Sequence, residues 1–230
     1  MQRDEYPKYR HELKYLVSSA EIAILRARIQ GLMKIDPHAI SGQYAIRSLY
    51  FDDQYNRCYY ENENGHDPRA KYRIRIYNHQ DSVIHLERKH KERNKTRKLS
   101  CELTRDLADQ LISGEMGNPS ACPQLVQELI ADMLGNRMHP VIIVDYDRIP
   151  YVYPLGNVRV TFDTSISSSK ELHRFFEETI TKRPVLPTGM QLMEVKFDEY
   201  LPDVIHRALQ LNTLQQTTFS KYYLCRKYSM

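Results

Sequence analysis

The chain has 230 residues, of which 27% are charged and 41% are hydrophobic. This balance is typical of a globular protein and excludes an intrinsically disordered chain. The formal net charge is only +4, but residues 69–98 contain many basic side chains and few acidic ones. Such a local excess indicates a nucleic-acid patch, a membrane-surface patch, a phosphate site or a solvated strand face.

The sequence predicts neither a membrane span nor a signal peptide. No apolar run reaches the roughly 20 residues that a spanning helix needs, and residues 1–6 lack a basic segment followed by an apolar one. We therefore expect a cytoplasmic protein. The four cysteines form neither a CxxC pair nor a Cys/His cluster with zinc spacing, so free thiols are expected.

The first half of the chain is predicted to alternate strands with short helices. A strand over 9–17 precedes Ser18 and Glu21, which have the spacing of a capping box at the start of a helix over 19–33. The apolar stripe of this helix is predicted to contain Ile22, Leu25, Ile29 and Leu32. Further strands are predicted over 44–52, 71–77, 85–91 and 96–103, and further helices over 56–64 and 104–113.

The second half begins with a predicted helix over 124–134, with Leu125, Leu129 and Leu134 facing inward. Its other predicted elements are strands over 141–148, 149–155, 158–163 and 189–197, an irregular or partly helical segment over 167–178, and a helix over 201–211. About eight strands joined mostly by short turns favour an antiparallel α+β fold over a doubly wound α/β fold. Because no linker or repeat is visible, we expect one domain over 1–230.

Charged side chains recur at every second position of several predicted strands. Lys71, Arg73 and Arg75 share one strand face, because successive side chains of a strand point to opposite faces. The same spacing relates Glu87 to Lys89 and Lys91, Glu12 to Lys14, and Glu194 to Lys196, and Arg148 and Arg159 lie on further strands. One such pair is most often an exposed cross-strand ion pair. Its recurrence on at least four strands favours a charged interior, such as a barrel lumen that holds a polyanion.

These residue types suit a phosphate chain. A triphosphate carries about four negative charges, so its site needs several converging Lys and Arg side chains. It also needs Mg²⁺ or Mn²⁺ on one or two carboxylates. The charged strands supply both kinds of group, whereas the common nucleotide, zinc-protease and hydrolase motifs are absent from the sequence.

Six short motifs, taken in order, resemble the VTC domain, the polyphosphate polymerase domain of the vacuolar transporter chaperone complex and its bacterial relatives. They are RHELKY at 10–15, KYRIR at 71–75, ERK at 87–89, YDR at 146–148, MEVK at 193–196 and SKY at 220–222. This family belongs to the triphosphate tunnel metalloenzymes, alongside the CYTH proteins. The resemblance runs from about residue 8 to residue 223.

The resemblance implies an antiparallel β-barrel, a triphosphate tunnel of about eight strands with flanking helices. It implies transfer of the γ-phosphoryl group of a nucleoside triphosphate, with ATP expected, onto inorganic polyphosphate. Arg73, Arg75 and Lys89 are the implied catalytic cations. The implied phosphate-binding residues are Lys14, Lys98, Arg148, Arg159, Lys196 and Lys221. Glu194 is the implied ligand of Mn²⁺ or Mg²⁺, with Glu12 as a second carboxylate.

Two of these expectations depend on further details. Lys98 is preferred to its neighbour Arg97 because Leu99, Cys101 and Leu103 then face the helices. Relatives of this family often work beside membrane proteins, so the resemblance also implies a membrane-protein partner, although no membrane span of its own is predicted.

One departure from the CYTH pattern bears on the reaction. CYTH proteins resemble each other in an E-x-E-x-K start, whereas this chain has Arg10 at the first of those positions. The loss of one acid disfavours hydrolysis relative to transfer onto phosphate. A triphosphatase and a non-catalytic polyphosphate-binding module remain alternatives. Nucleic acid is not expected as a partner, because the residues between the cations are largely aliphatic.

Overall fold

The strands of this computed structural model, which describes residues 10–93, 95–115, 118–211 and 213–229, form one antiparallel sheet. They are β1 His11–Ser18, β2 Lys34–Ile35, β3 Tyr44–Asp52, β4 Arg69–Tyr77, β5 Gln80–Glu92, β6 Lys95–Leu103, β7 His139–Tyr153, β8 Val158–Ser169, β9 Arg183–Pro184 and β10 Met190–Phe197. The hydrogen-bonded order is β1-β10-β8-β7-β3-β4-β5-β6, with β2 beside β7 and β9 beside β8. The expectations for residues 1–9 lie outside the described residues.

The sheet curls until its two edge strands approach each other. The backbones of Arg10, which precedes β1, and Thr96 of β6 exchange hydrogen bonds of 3.3 and 3.4 Å. Near this seam, Lys89 Nζ of β5 lies 2.7 Å from Glu12 Oε2 of β1. Alternate residues of the strands therefore face one enclosed space. The predicted α+β fold, with a curled antiparallel sheet of about eight strands, is confirmed.

The helices lie outside this curled sheet. They are α1 Ser19–Ile29, α2 Arg57–Glu63, α3 Arg105–Ser113, α4 Gln124–Asn136, α5 Asp203–Leu209 and α6 Lys221–Lys227. The predicted capping box is present, because Ser18 Oγ accepts from the Glu21 backbone N–H at 3.2 Å and Glu21 Oε2 accepts from the Ser18 N–H at 2.7 Å. No helix in the described ranges is long and apolar enough to cross a membrane.

The apolar residues lie between the helices and the outer face of the sheet. Leu25 and Ile29 of α1 pack with Ile205 of α5 over β8 and β10, and a larger cluster joins α2, α3, α4 and α6 to the other strands. Burial of each large apolar side chain contributes about 1.5–3 kcal/mol. Because this outer layer holds the hydrophobic core, the inner face is left to charged side chains.

Three predicted details are wrong. The first helix ends at Ile29, before Gly31, so Leu32 is 39% exposed instead of lying on the buried stripe. Leu134 is 67% exposed, because the buried phase of α4 continues from Leu129 to Met133. The segment predicted as irregular or partly helical over 167–178 does contain a short 3-10 helix, Leu172–Arg174, but it starts as regular strand, since β8 runs to Ser169. The helix α6 was not predicted at all.

Candidate functional site

A cavity of about 420 Å³ with a strongly basic lining lies inside the curled sheet. Its charged lining residues are Lys14, Arg69, Lys71, Arg73, Arg75, Lys89, Lys91, Arg148, Lys196 and Lys221, with the acids Glu12 and Glu194. They come from β1, β4, β5, β7, β10 and α6. Charges that recur at every second residue thus converge, because each strand turns the same phase inward.

Glu194 of β10 is surrounded by cations from four different elements. Lys221 Nζ lies 2.8 Å from Oε1, Lys196 Nζ 3.2 Å from Oε2 and Arg148 Nη2 3.4 Å from Oε2, while Lys14 Nζ is 3.8 Å from Oε1. Burial opposes ionisation of this carboxyl, but the neighbouring cations outweigh it and hold its pKa well below the usual value. Glu194 is therefore a carboxylate at neutral pH.

Asp163 of β8 lies behind this centre and is fully buried. It accepts a bidentate pair from Arg148 at 2.6 and 2.7 Å, and Lys221 Nζ lies 2.6 Å from its Oδ2. A bidentate guanidinium pair fixes direction as well as charge. Asp163 thus holds the Arg148 side chain in place, and Arg148 and Lys221 both line the cavity.

Glu87 of β5 orients a second group of cations. Its Oε2 lies 2.6 Å from Arg73 and 3.6 Å from Arg75, and its Oε1 accepts from Lys98 at 2.9 Å. Arg73 also donates to the Tyr50 hydroxyl at 2.8 Å. Burial disfavours the charged form of Glu87, but the three cations overcome it and hold its pKa far below the usual value.

Glu12 of β1 closes the seam between the two edge strands. It accepts from Lys89 at 2.7 Å, and Lys196 Nζ is 3.5 Å from its other oxygen. Burial acts against its ionisation, but the charges of Lys14, Lys89 and Lys196 keep its pKa well below normal. Burial also lowers the pKa of Lys89 to about 8. The ammonium form of Lys89 is therefore less favoured than that of an exposed lysine.

The structure brings together nine of the eleven predicted site residues around the cavity. The nine are Glu12, Lys14, Arg73, Arg75, Lys89, Arg148, Glu194, Lys196 and Lys221. Lys98 is not part of the lining and reaches the site through Glu87. Arg159 is also outside the lining, because it pairs with Asp36 at 2.8 Å and donates to the Tyr44 hydroxyl at 2.8 Å. The roles of all eleven residues toward a ligand stay predictions.

Arg10, which replaces the first acid of the CYTH pattern, does not line the cavity. Its Nε lies 2.8 Å from Asp198 Oδ1, and its Nη2 donates to the Asn157 carbonyl at 2.9 Å. The charge at this position is thus engaged at the loop that joins β7 to β8, away from the Glu194 centre.

Glu12 and Glu194 are the two carboxylates that face the cavity. Carboxylate oxygens suit Mg²⁺ and Mn²⁺, and Lys196 lies between the pair at 3.5 and 3.2 Å. Within the described residues, no group of three or more His, Cys, Asp and Glu side chains is arranged to hold a metal ion. A divalent cation at this pair would therefore have to take its remaining ligands from phosphate oxygens, and metal binding by the pair stays a prediction.

Besides Arg69, Lys71 and Lys91 of the lining, which were not predicted as site residues, the prediction from sequence did not include Asp163 and Tyr146. Asp163 lies in phase with Arg159 at the end of a predicted strand, so the every-second-residue pattern contained the signal that would have found it. Tyr146 lines the cavity with its ring 4.9 Å from Lys221 Nζ and 5.3 Å from the Arg148 guanidinium. No charge pattern marks an aromatic residue of this kind.

The fold and this lining define a β-tunnel protein with a basic interior. The family model of the VTC domain matches residues 9–230. The chain therefore belongs to the VTC domain family, as the sequence motifs predict. Comparison with curated proteins gives no match.

Solved structures share this fold at low sequence identity. A proposed adenylyl cyclase from Hippeastrum, described with a dominant triphosphatase activity, has a TM-score of 0.57 at 12% identity and 96% coverage of both chains. A proposed adenylate cyclase from Bacillus halodurans has a TM-score of 0.52 at 13% identity, over 89% of this chain and 88% of that one. The PH1819 protein from Pyrococcus horikoshii has a TM-score of 0.51 at 13% identity, over 96% and 99%. At these identities the likeness concerns the fold alone.

Proposed function

We propose that the protein is a polyphosphate polymerase. It transfers the γ-phosphoryl group of a nucleoside triphosphate, with ATP expected, onto inorganic polyphosphate inside the basic cavity. The observation that carries this proposal is the convergence of ten cations from six elements on one enclosed space. Membership of the VTC domain family supports it.

The cavity provides what phosphoryl transfer requires of a protein, which is alignment and charge neutralisation. Arg73 is held by Glu87 and by the Tyr50 hydroxyl, so its guanidinium is preorganised. Arg75 and Lys89 lie on the same inward face of β4 and β5. In the proposed reaction these three cations stabilise the charge that spreads over the transferred group.

The proposed step is an in-line displacement. A terminal oxygen of the polyphosphate chain attacks Pγ, the bond from Pγ to its bridging oxygen breaks, the nucleoside diphosphate leaves, and the chain gains one phosphate. The attacking oxygen is already ionised, so no side chain needs to remove a proton. Glu194 and Glu12 would hold a divalent cation, which neutralises phosphate oxygens when bound.

A triphosphatase is the second candidate function. The similar fold of the Hippeastrum protein, described with a dominant triphosphatase activity, favours it. The engagement of Arg10 by Asp198 argues against it, because the CYTH pattern has an acid at this position. A third possibility, a non-catalytic polyphosphate-binding module, predicts binding without turnover.

The products distinguish the three functions. We expect purified protein with ATP and Mn²⁺ or Mg²⁺ to yield acid-insoluble polyphosphate and an equivalent amount of ADP. Release of free phosphate without polymer would indicate the triphosphatase, and absence of both products would indicate the binding module. Arg73→Gln should lower the rate by about a hundredfold or more. Arg97→Gln is the matched control, because Arg97 is an arginine of the same sheet, on β6, but is not part of the lining.

A further inference from the structure

Three cations of the cavity lining differ from the others in their partners. Arg69 donates to the His66 carbonyl at 2.6 Å, and Lys71 donates to the amide oxygen of Asn62 at 2.8 Å. Lys91 lies opposite Arg69 in the β4–β5 register. In the part of the chain that the structure describes, none of the three forms an ion pair with a carboxylate. Their positive charges are therefore not balanced by a carboxylate at ion-pair distance.

Arg69 and Lys71 lie at one end of the row of inward positions on β4, and Lys91 lies beside this end on β5. The row consists of Arg75, Arg73, Lys71 and Arg69, spaced by about 7 Å. Arg75 and Arg73 share Glu87 at the inner end, whereas Arg69 follows the exposed loop after α2. The three unpaired cations thus occupy the mouth of the cavity.

The inner charges suffice for a triphosphate without these three. The cations that pair with carboxylates of the site are seven of the lining, Lys14, Arg73, Arg75, Lys89, Arg148, Lys196 and Lys221, together with Lys98 outside it. Their carboxylates are Glu12 and Glu194, which face the cavity, and Glu87 and Asp163, which lie behind its lining. Eight cations against four carboxylates leave an excess of four positive charges, about the negative charge of a nucleoside triphosphate. A bound divalent cation would add two positive charges, and the ionised end of an acceptor polyphosphate chain would bring the negative charge that balances them. The three cations at the mouth are therefore not needed to balance the negative charge of these ligands.

We propose that Arg69, Lys71 and Lys91 form a second anion subsite at the cavity mouth, which binds phosphate groups of a polyphosphate chain beyond those held inside. This inference rests on the proposed function, because it assumes that the inner cavity holds the triphosphate. It assigns the cavity entrance next to α2 to the polyphosphate chain. Affinity should then grow with the length of the phosphate chain.

Lys71 gives this subsite a chemical signature. Its Nζ lies 4.6 Å from the centre of the Tyr222 ring, and burial lowers its pKa to about 7. The charged and titratable groups that face it are Cys58 of α2, Arg69 of β4, Lys89 of β5, Lys14 of β1 and Tyr222 of α6. Phosphate oxygens favour the ammonium form. Binding of a chain at the mouth should therefore take up a proton above neutral pH.

The first test compares inorganic triphosphate with size-fractionated long-chain polyphosphate as ligands. A long chain offers more binding registers to any site, so the comparison is made between variants. We expect Arg69→Gln combined with Lys71→Met and Lys91→Met to weaken long-chain binding about tenfold, the scale of three partly exposed charge contacts. Triphosphate affinity should stay within about twofold.

The matched control removes three cations outside the lining, on the β5–β6 hairpin that continues from Lys91. It combines Arg93→Gln, Lys95→Met and Arg97→Gln, and both ligands should bind as to the unchanged protein. Equal losses for both ligands, an equal loss in this control, or unchanged long-chain binding would overturn the proposed subsite. A single-stranded oligonucleotide that shows the same dependence on the three residues would overturn its assignment to polyphosphate.

The second test measures protons. Calorimetry in two buffers of different ionisation enthalpy, about one pH unit above the pKa of Lys71, should show proton uptake with the long chain. Lys71→Arg should keep the affinity and abolish that part of the uptake, because arginine keeps its charge. Undiminished uptake in this variant would exclude Lys71 as the proton acceptor. Chain-length preference without polymer synthesis would contradict the polymerase and leave the subsite standing.

Discussion

Lys221 of α6 lies 2.8 Å from Glu194 of β10 and 2.6 Å from Asp163 of β8. The Lys221 side chain, at the start of the helix that follows the last strand, thus reaches into the barrel and contacts carboxylates of two strands. Burial opposes the charged form of this lysine, but the two carboxylates outweigh it and raise its pKa above the usual value. The position of α6 and the charge of the cavity are therefore linked.

Glu194→Gln tests this linkage. Loss of a buried carboxylate leaves Lys221 and its neighbours less compensated, so we expect the free energy of unfolding to fall by about 3–5 kcal/mol. The cavity gains one net positive charge, so inorganic triphosphate without metal should bind more tightly, while metal-dependent turnover is lost. Thermal unfolding and calorimetric titration measure these effects. Glu128→Gln, at the half-exposed pair with Arg88, is the control. Weaker metal-free binding in Glu194→Gln would refute the linkage.

Arg47 of β3 is expected to stabilise the fold and not the site. It is 0% exposed on the outer face of the sheet, lies 2.7 Å from Asp145 and donates to the carbonyls of Phe175 and Glu177. Arg47→Met leaves these acceptors unsatisfied, so we expect a loss of about 3–5 kcal/mol in urea unfolding. The affinity of the remaining folded protein for triphosphate should be unchanged. A loss of affinity without a loss of stability would contradict this assignment.

Gly156 requires the absence of a side chain for two reasons. Its φ is 71°, and a Cβ atom would lie 2.7 Å from the Tyr200 carbonyl oxygen. Gly42 also has a positive φ, 84°, but open space around it. We expect Gly42→Ala to cost about 1 kcal/mol from the left-handed backbone. Gly156→Ala should cost at least about 1 kcal/mol more, because the backbone must also move. Equal losses in the free energy of unfolding for the two variants, measured in urea, would contradict this, because the close contact at Gly156 would then have no energetic effect.

The stability of the protein should depend on pH through Glu87. Its folded pKa lies below the usual 4.5, so its ion pairs stabilise the fold fully above that pH. The contribution is lost as the pH falls from there toward the folded pKa. Glu87→Gln should therefore show a shallower loss of stability in acid than the unchanged protein. Glu102→Gln, on an exposed position of the neighbouring strand, should keep the steep loss. Parallel acid profiles for the Glu87 variant and the unchanged protein would contradict this.

Much of the fold follows from local patterns. The capping box at Ser18 and the strand over 44–52 are found where predicted, because both depend on residues that are close in sequence. The predicted phase of β6 is found as well, since Leu99 packs against the core cluster while Lys98 reaches Glu87, although the role of Lys98 toward phosphate stays a prediction. Strand periodicity alone predicted that phase.

Other features depend on contacts that no local pattern contains. Arg47 has the same period as its apolar neighbours, and its partner Asp145 is 98 residues away. Arg159 matches the charged pattern and lies opposite Lys196 in the β8–β10 register, yet it pairs with Asp36 outside the lining. Which cation meets which carboxylate is a property of strand order and register, which the local sequence of one strand does not specify.

The order of residues along the chain was enough to specify charged strand faces, their phase and the family. It was enough because the side-chain period of a strand is two whatever the strand pairs with. The closing of the seam at Glu12 and Lys89, the insertion of Lys221 between Glu194 and Asp163, and the unpaired cations at the mouth follow from the curl of the sheet. They arise in three dimensions, because charges far apart in sequence interact only where folding brings them within a few ångströms.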